Sequence, residues 1–127
     1  MNYLLDTHTL IWFLDGDDSL SVRARDKIQS AQDQKFVSIA SLWEISIKVS
    51  LGKLILKSSL EDFFYSLSNT EIRILDISPA HLLKASQIEF FHKDPFDRLI
   101  IAQSIQEHWD IIGKDPSFPQ YGINLYW

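Results

Sequence analysis

Tyr3-Leu4-Leu5-Asp6-Thr7-His8-Thr9-Leu10-Ile11-Trp12-Phe13-Leu14 is the stretch from which the fold is read. Tyr3 to Leu5 make a short apolar strand, and Asp6 ends it. The apolar spacing beyond Thr7 predicts a helix to Leu14, stopped by the polar turn Asp15-Gly16-Asp17-Asp18. A strand that feeds directly into a helix is the opening of an α/β unit. In a parallel sheet, the residue just past the carboxyl end of such a strand faces a crevice where sites form. Asp6 occupies that position.

The same alternation continues outward from this stretch. Ser21 to Gln32 is a polar amphipathic helix, and Phe36-Val37-Ser38 a second short strand. Ile39 to Leu51 follows as a helix, with Gly52 placed for its C-terminal cap. A helix over Leu60 to Leu67 is begun by Ser58 or Ser59. Ile72 to Ile77 is a strand, and Pro79 opens a helix from Ala80 to about Ile88. Pro95 to His108 is a strongly apolar helix, Ile111-Ile112 a brief strand, and Ile123-Asn124-Leu125 an edge strand. The expectation is one α/β domain over residues 1–127 around a central, mainly parallel sheet.

Bulk composition narrows the class. A chain of 127 residues, 46% apolar and 13% aromatic, is long and apolar enough to bury a core. Cysteine is absent, which excludes disulfide and thiol chemistry and zinc sites built on thiolates. A charge arrives at Asp6, too early for a secretory leader, and no apolar run reaches membrane-spanning length. A soluble cytoplasmic protein with no membrane partner is expected. The net charge of −5 argues against a broad nucleic-acid surface, but a local metal site would offset it. There is no glycine-rich phosphate loop and no serine in a nucleophile elbow. The four histidines have no consistent ligand spacing.

Five acids stand at strand ends or helix starts: Asp6, Glu44, Asp94, Asp97 and Asp115. Each has an ordinary reading. Asp6 suits a helix N-cap. Glu44 can pair with Lys48 one helical turn on. Asp94 caps the helix that Pro95 begins, Asp97 complements its dipole, and Asp115-Pro116 favours a turn. Glu44, however, is flanked by Leu42, Trp43, Ile45 and Ile47, where an uncompensated charge is expensive. Carboxylates gathered from parallel strands repel one another and raise their pKa values, so a cluster calls for a cation. Hard ions such as Mg2+ or Mn2+ favour oxygen ligands of this kind. The expected catalytic set is Asp6, Glu44, Asp97 and Asp115, with Asp94 added as cap or further metal ligand. Lys48, Arg98 and Lys114 are the expected substrate contacts. The chemistry such a set supports is metal-assisted attack on a phosphodiester.

Taken in order, Leu4-Leu5-Asp6-Thr7-His8, Ser41-Leu42-Trp43-Glu44-Ile45-Ser46-Ile47-Lys48 with Gly52-Lys53-Leu54, His92-Lys93-Asp94-Pro95-Phe96-Asp97-Arg98-Leu99-Ile100-Ile101-Ala102-Gln103, and Asp115-Pro116-Ser117-Phe118 with Tyr121-Gly122 resemble the blocks of a PIN-domain ribonuclease of the VapC toxin type. The resemblance implies an α/β/α sandwich, dependence on Mg2+ or Mn2+, and endonucleolytic cleavage of RNA by the acids named above. It also implies a homodimer and a small antitoxin that sets a basic side chain against the carboxylates. Gly113-Lys114 departs from the family, which often has Thr or Ser shortly before the last acid. Three other readings compete. One is a metal-dependent phosphatase on a Rossmann-like sheet, for which His8 stands where a second aspartate is wanted. Another is a phospho-receiver domain, which needs an aspartate after a middle strand, a place Asp76 takes after Ile72 to Leu75. The third is a catalytically inactive protein-binding domain.

Overall fold

Leu4 and Leu5 have no solvent exposure, as befits a strand that neighbours flank on both edges. The computed structural model describes all 127 residues. Its strands are β1 (Asn2–Leu5), β2 (Gln34–Ser38), β3 (Arg73–Leu75), β4 (Asp110–Ile112) and β5 (Leu125–Tyr126). Its helices are α1 (Thr7–Asp15), α2 (Val22–Gln29), α3 (Ile39–Ser50), α4 (Leu60–Ser68), α5 (Pro79–Gln87) and α6 (Pro95–Glu107), with a 3-10 turn at Phe118–Tyr121. The strands pair in the order β3-β2-β1-β4-β5, and every pairing is parallel.

Alternation along the strands builds two cores. Tyr3, Leu5, Val37 and Ile112 point to one face, where they meet Leu10 and Ile11 of α1, Ile28 of α2, Ile45 of α3 and Phe63 of α4. Leu4 and Ile111 point to the other, against Ile100 and Ile101 of α6 and Phe118. The layers are helix, sheet, helix, so the expected sandwich is what forms. Each fully buried leucine or isoleucine contributes roughly 1.5–3 kcal/mol. No helix is long and apolar enough to cross a membrane.

All six helices begin on an oxygen side chain that accepts from the first turn: Asp6, Ser21, Ser38, Ser59, Ser78 and Asp94. Several boundaries differ from the sequence reading by a residue or more, and three of them have a visible cause. Helix α2 stops at Gln29 rather than Gln32, because Lys35 is buried in β2 and its ammonium bonds the carbonyls of Ser30 and Asp33. Strand β3 ends at Leu75 because its partner β2 ends at Ser38. Strand β5 lies at Leu125–Tyr126, two residues later than expected, where Gly113 N–H donates to the Tyr126 carbonyl at 3.1 Å.

Arg98 also departs from expectation. Instead of facing a substrate, its guanidinium is buried, 7% exposed, and donates to the carbonyls of Glu89 (2.8 Å), Ala85 (3.0 Å) and Ile88 (3.2 Å). Phe90 covers it with its ring centroid 3.8 Å from the guanidinium carbon. A rigid fork of donors suits the carbonyls that a helix end leaves unpaired, so Arg98 closes α5 onto α6. Arg98→Ala should lower unfolding free energy by about 3 kcal/mol in urea denaturation, with Arg98→Lys recovering part. An Arg98→Ala protein as stable as the parent would return this residue to the substrate surface.

Candidate active site at the carboxyl ends of β1 and β4

The chain fills β1, β2 and β3 outward in one direction, then crosses back to place β4 on the free edge of β1. The two strands that part at this switch are β1 and β4, and their carboxyl ends carry Asp6 and the segment Gly113-Lys114-Asp115. Asp6 N–H donates to the Ile112 carbonyl at 3.0 Å, which fixes the two ends together. A Cβ on Gly113 would lie 3.0 Å from the Asp6 Cβ, tighter than ordinary packing, so a larger residue here would make the Asp6 side chain give way.

Asp6 is 8% exposed and accepts from Thr7 N–H at 2.9 Å. Its carboxyl is pushed up to about 6, chiefly by burial; Asp115 and Glu44 add to the rise, while His8 and the Thr7 amide oppose it. Glu44, 3% exposed, reaches the same region from α3. Its Oε1 accepts from the Thr7 hydroxyl at 3.0 Å and its Oε2 from Lys48 Nζ at 2.6 Å. The bond to Glu44 raises the pKa of Lys48, which is thus committed to a carboxylate as its first partner.

Asp97 enters from the first turn of α6. It is pushed up to about 7, first by burial, then by Asp94, Asp6, Glu44 and Asp115. Those four acids around one carboxyl show that the landmarks share one electrostatic neighbourhood. Asp94 caps α6, its Oδ1 accepting from Phe96 N–H (2.9 Å) and Asp97 N–H (3.0 Å), and it is exposed. Asp115 Oδ1 accepts from Ser117 N–H (2.9 Å) and Oγ (2.7 Å), the turn expected of Asp-Pro. No three acid or imidazole side chains are gathered at metal-ligand spacing. The acids are neighbours rather than a closed shell.

Two openings flank Asp6. One, about 400 Å³, is bounded by Asp6, His8, Trp12, Lys114, Asp115 and Pro116. Lys114 Nζ lies 5.0 Å from the Trp12 ring and 5.5 Å from the Trp127 ring. The other, about 100 Å³, includes Thr7, Glu44, Lys48 and Lys53. A separate apolar groove of about 440 Å³ runs along α3, α4 and β3, lined by Leu42, Trp43, Phe64, Leu67, Ile72 and Ile74. Trp43 sets its ring edge-on to Phe96 at 5.4 Å, which links that groove to the acid region. Sequence reading missed Thr7, the hydroxyl that steadies Glu44, and His92, 3.7 Å from Asp97. Thr7 follows the first acid directly and could have been noticed; nothing in the spacing points to His92.

A pH dependence follows. In the metal-free protein Asp97 keeps its proton to about 7 when folded, against an ordinary value of 3.8. Between those values the folded state binds more protons than the unfolded one, so stability falls as pH rises through this window and is unaffected below it. The Asp6 carboxyl, at about 6, adds to the loss over the lower part of the window. Melting curves from about pH 4.5 to 7.5 should drop several degrees more for the parent than for Asp97→Asn. Mn2+ should restore the parent near pH 7.5. Parallel pH profiles for the two proteins would contradict the raised acid.

Comparison with known proteins agrees with this architecture. A PIN domain family model matches residues 3–124. Ribonuclease VapC22 of Mycobacterium tuberculosis is 28% identical over 113 residues, 88% of this chain and 85% of that protein. Among solved structures, VapBC2 of Rickettsia felis, bound to a promoter DNA fragment, superposes with a TM-score of 0.75 at 17% identity, covering 98% of this chain and 97% of the other. FitAcB of Neisseria gonorrhoeae superposes at 0.69 and 18% identity over 100% and 97%. A toxin–antitoxin complex from Klebsiella pneumoniae gives 0.67 at 15% identity over 98% and 96%. With its parallel sheet, its acids at the β1–β4 switch and a family match over nearly its whole length, this chain belongs to the PIN domain family.

Proposed function

We propose that the chain is a metal-dependent endoribonuclease and the toxin of a toxin–antitoxin pair. The observation that carries the reading is the gathering of acids at the β1–β4 switch: Asp6 and Asp115 share one opening, Thr7 ties Glu44 beside Asp6, and burial with these neighbours pushes the Asp97 carboxyl up to about 7. Such a site is short of positive charge, since Lys48 is the one cation bonded to any of these carboxylates. Its donors are all carboxylate oxygens, which fit Mg2+ or Mn2+ and not a softer metal. Asp6, Glu44, Asp97 and Asp115 would hold the ion with the lone pairs their present hydrogen bonds leave, and Asp94, whose Oδ1 already accepts two amides, would add Oδ2. A bound ion there supplies water activation and offsets charge on the phosphate.

The remaining work falls to side chains of the chain itself. Thr7 and Lys48 hold both oxygens of Glu44 in place. Lys114, exposed beside Asp115, is placed to meet a phosphate next to the one being cleaved, with Trp12 offering a face for a base. The likeness to Ribonuclease VapC22 supports RNA as the substrate.

Purified protein with Mn2+ should cut a labelled single-stranded RNA internally, and EDTA should stop it. Asp6→Asn and Asp97→Asn should each reduce cleavage at least about a thousandfold while folding normally. Lys114→Glu should raise KM about fivefold with kcat little changed. Hydrolysis of a small phosphate monoester without RNA cleavage would favour a phosphatase. Neither activity, with Mn2+ bound, would favour a binding domain.

The partner reading rests on the likeness to a solved toxin–antitoxin complex and on the apolar groove, where Trp43 is 60% and Ile74 48% exposed. An antitoxin segment lying there can pass Phe96 and set an arginine among the acids. The chain is further proposed to form a homodimer, which light scattering of the purified protein would reveal or refute. Antitoxin affinity should fall about tenfold for Asp6→Asn and compete with Mg2+. Equal affinity for that variant at saturating Mg2+ would place the inhibitor away from the acids.

A further inference from the structure

His92 stands in the loop between α5 and α6, two residues before the acid that caps α6. Its backbone N–H donates to the Tyr121 hydroxyl oxygen at 3.3 Å, and its Nδ1 lies 2.8 Å from the same oxygen. On the far side of the ring, Nε2 is sealed from solvent, has no hydrogen-bond partner, and lies 3.7 Å from Asp97 Oδ2. The loop, the 3-10 turn and the first turn of α6 therefore meet at one imidazole.

Proton counting assigns the ring. The Tyr121 oxygen already accepts from the His92 amide, and its own proton has no acceptor other than Nδ1. If Nδ1 carried the proton instead, the tyrosine proton would go unbonded and the Nε2 lone pair would face the carboxylate oxygen. The second is unfavourable because Nε2 is sealed from solvent. Above about pH 7, where Asp97 is ionised, the neutral ring is therefore assigned its proton on Nε2, the nitrogen that lies 3.7 Å from Asp97 Oδ2. A carboxylate that accepts such a bond has one oxygen fixed and the other left for the acid cluster.

We propose that His92 is a positioning residue for Asp97, held as the Nε2–H tautomer by Tyr121 and closing a hydrogen bond onto Oδ2 when the acid works. This rests on the reading of the acids as a metal-dependent active centre. Groups that orient a metal-ligating side chain typically change metal affinity 10- to 100-fold when removed. A purely structural histidine would also tie the loop to Tyr121, but which nitrogen carries the proton would not matter to the metal.

Nitrogen-15 spectra of the metal-free parent above pH 8 should show the His92 ring protonated at Nε2, a measurement that needs no variant. Mn2+ affinity, read by electron paramagnetic resonance of the free ion, should fall about tenfold for His92→Ala and His92→Asn. Asn keeps a partner for Tyr121 but has no group at the Nε2 position. His92→Gln, whose amide nitrogen reaches that position, should stay within about threefold of the parent. Tyr121→Phe should shift the ring toward the other tautomer and weaken Mn2+ in step. A ring protonated at Nδ1 in the parent, or Mn2+ bound equally by the Ala and Asn variants, overturns the proposal. If the parent itself binds no Mn2+, the active-centre reading fails first, an outcome distinct from failure of His92 alone.

Discussion

The parallel pairing of β1 with β4 places two acid-bearing chain segments at one point, and the site follows from it. The amide of Asp6 is bonded to the Ile112 carbonyl, and Gly113 lies so close that a single added carbon would press on the Asp6 side chain. Neither end can shift without breaking a buried hydrogen bond in the center of the sheet, whose loss costs the full desolvation of the groups involved. Asp6 and Asp115 are consequently held together by the backbone, whatever their charges prefer.

Helices then deliver the other acids. Glu44 sits one turn into α3, and Asp97 in the first turn of α6, whose cap is Asp94. Burial and mutual repulsion act in the same direction on Asp97 and Asp6, so both resist ionisation in the bare protein. Stability is given up locally where the fold holds these acids together. The polar groups nearby limit that loss: Thr7 and Lys48 satisfy Glu44, Ser117 satisfies Asp115, and two amides satisfy Asp94. Asp97 has no comparable donor within hydrogen-bond distance. That is why the imidazole of His92, unpartnered at 3.7 Å, bears on its behaviour.

Cations divide between architecture and surface. Lys35 and Arg98 are buried and bond carbonyls at and just beyond the ends of α2 and α5. Lys114 remains exposed over two indole rings beside the acids. The contrast shows why a basic residue next to a motif acid is not thereby a substrate contact. Arg98 follows Asp97 directly, yet one step along a helix turns a side chain by about 100° and sends it to another neighbour.

Apolar periodicity, caps and turn residues are local, and they made the element order, the parallel α/β class and the acids at strand ends legible in the sequence alone. Asp6, Ser59 and Asp94 as caps, and Asp115 as a turn, were readable because each acts on backbone within three residues of itself. Contacts between distant segments were not readable. The turning of Arg98 onto α5, the hydroxyl of Thr7 on Glu44 and the Tyr121–His92–Asp97 chain join residues separated by up to 37 positions. Such pairings depend on how helices dock on the sheet, and that docking is chosen by the packing of both cores as a whole rather than by any local pattern.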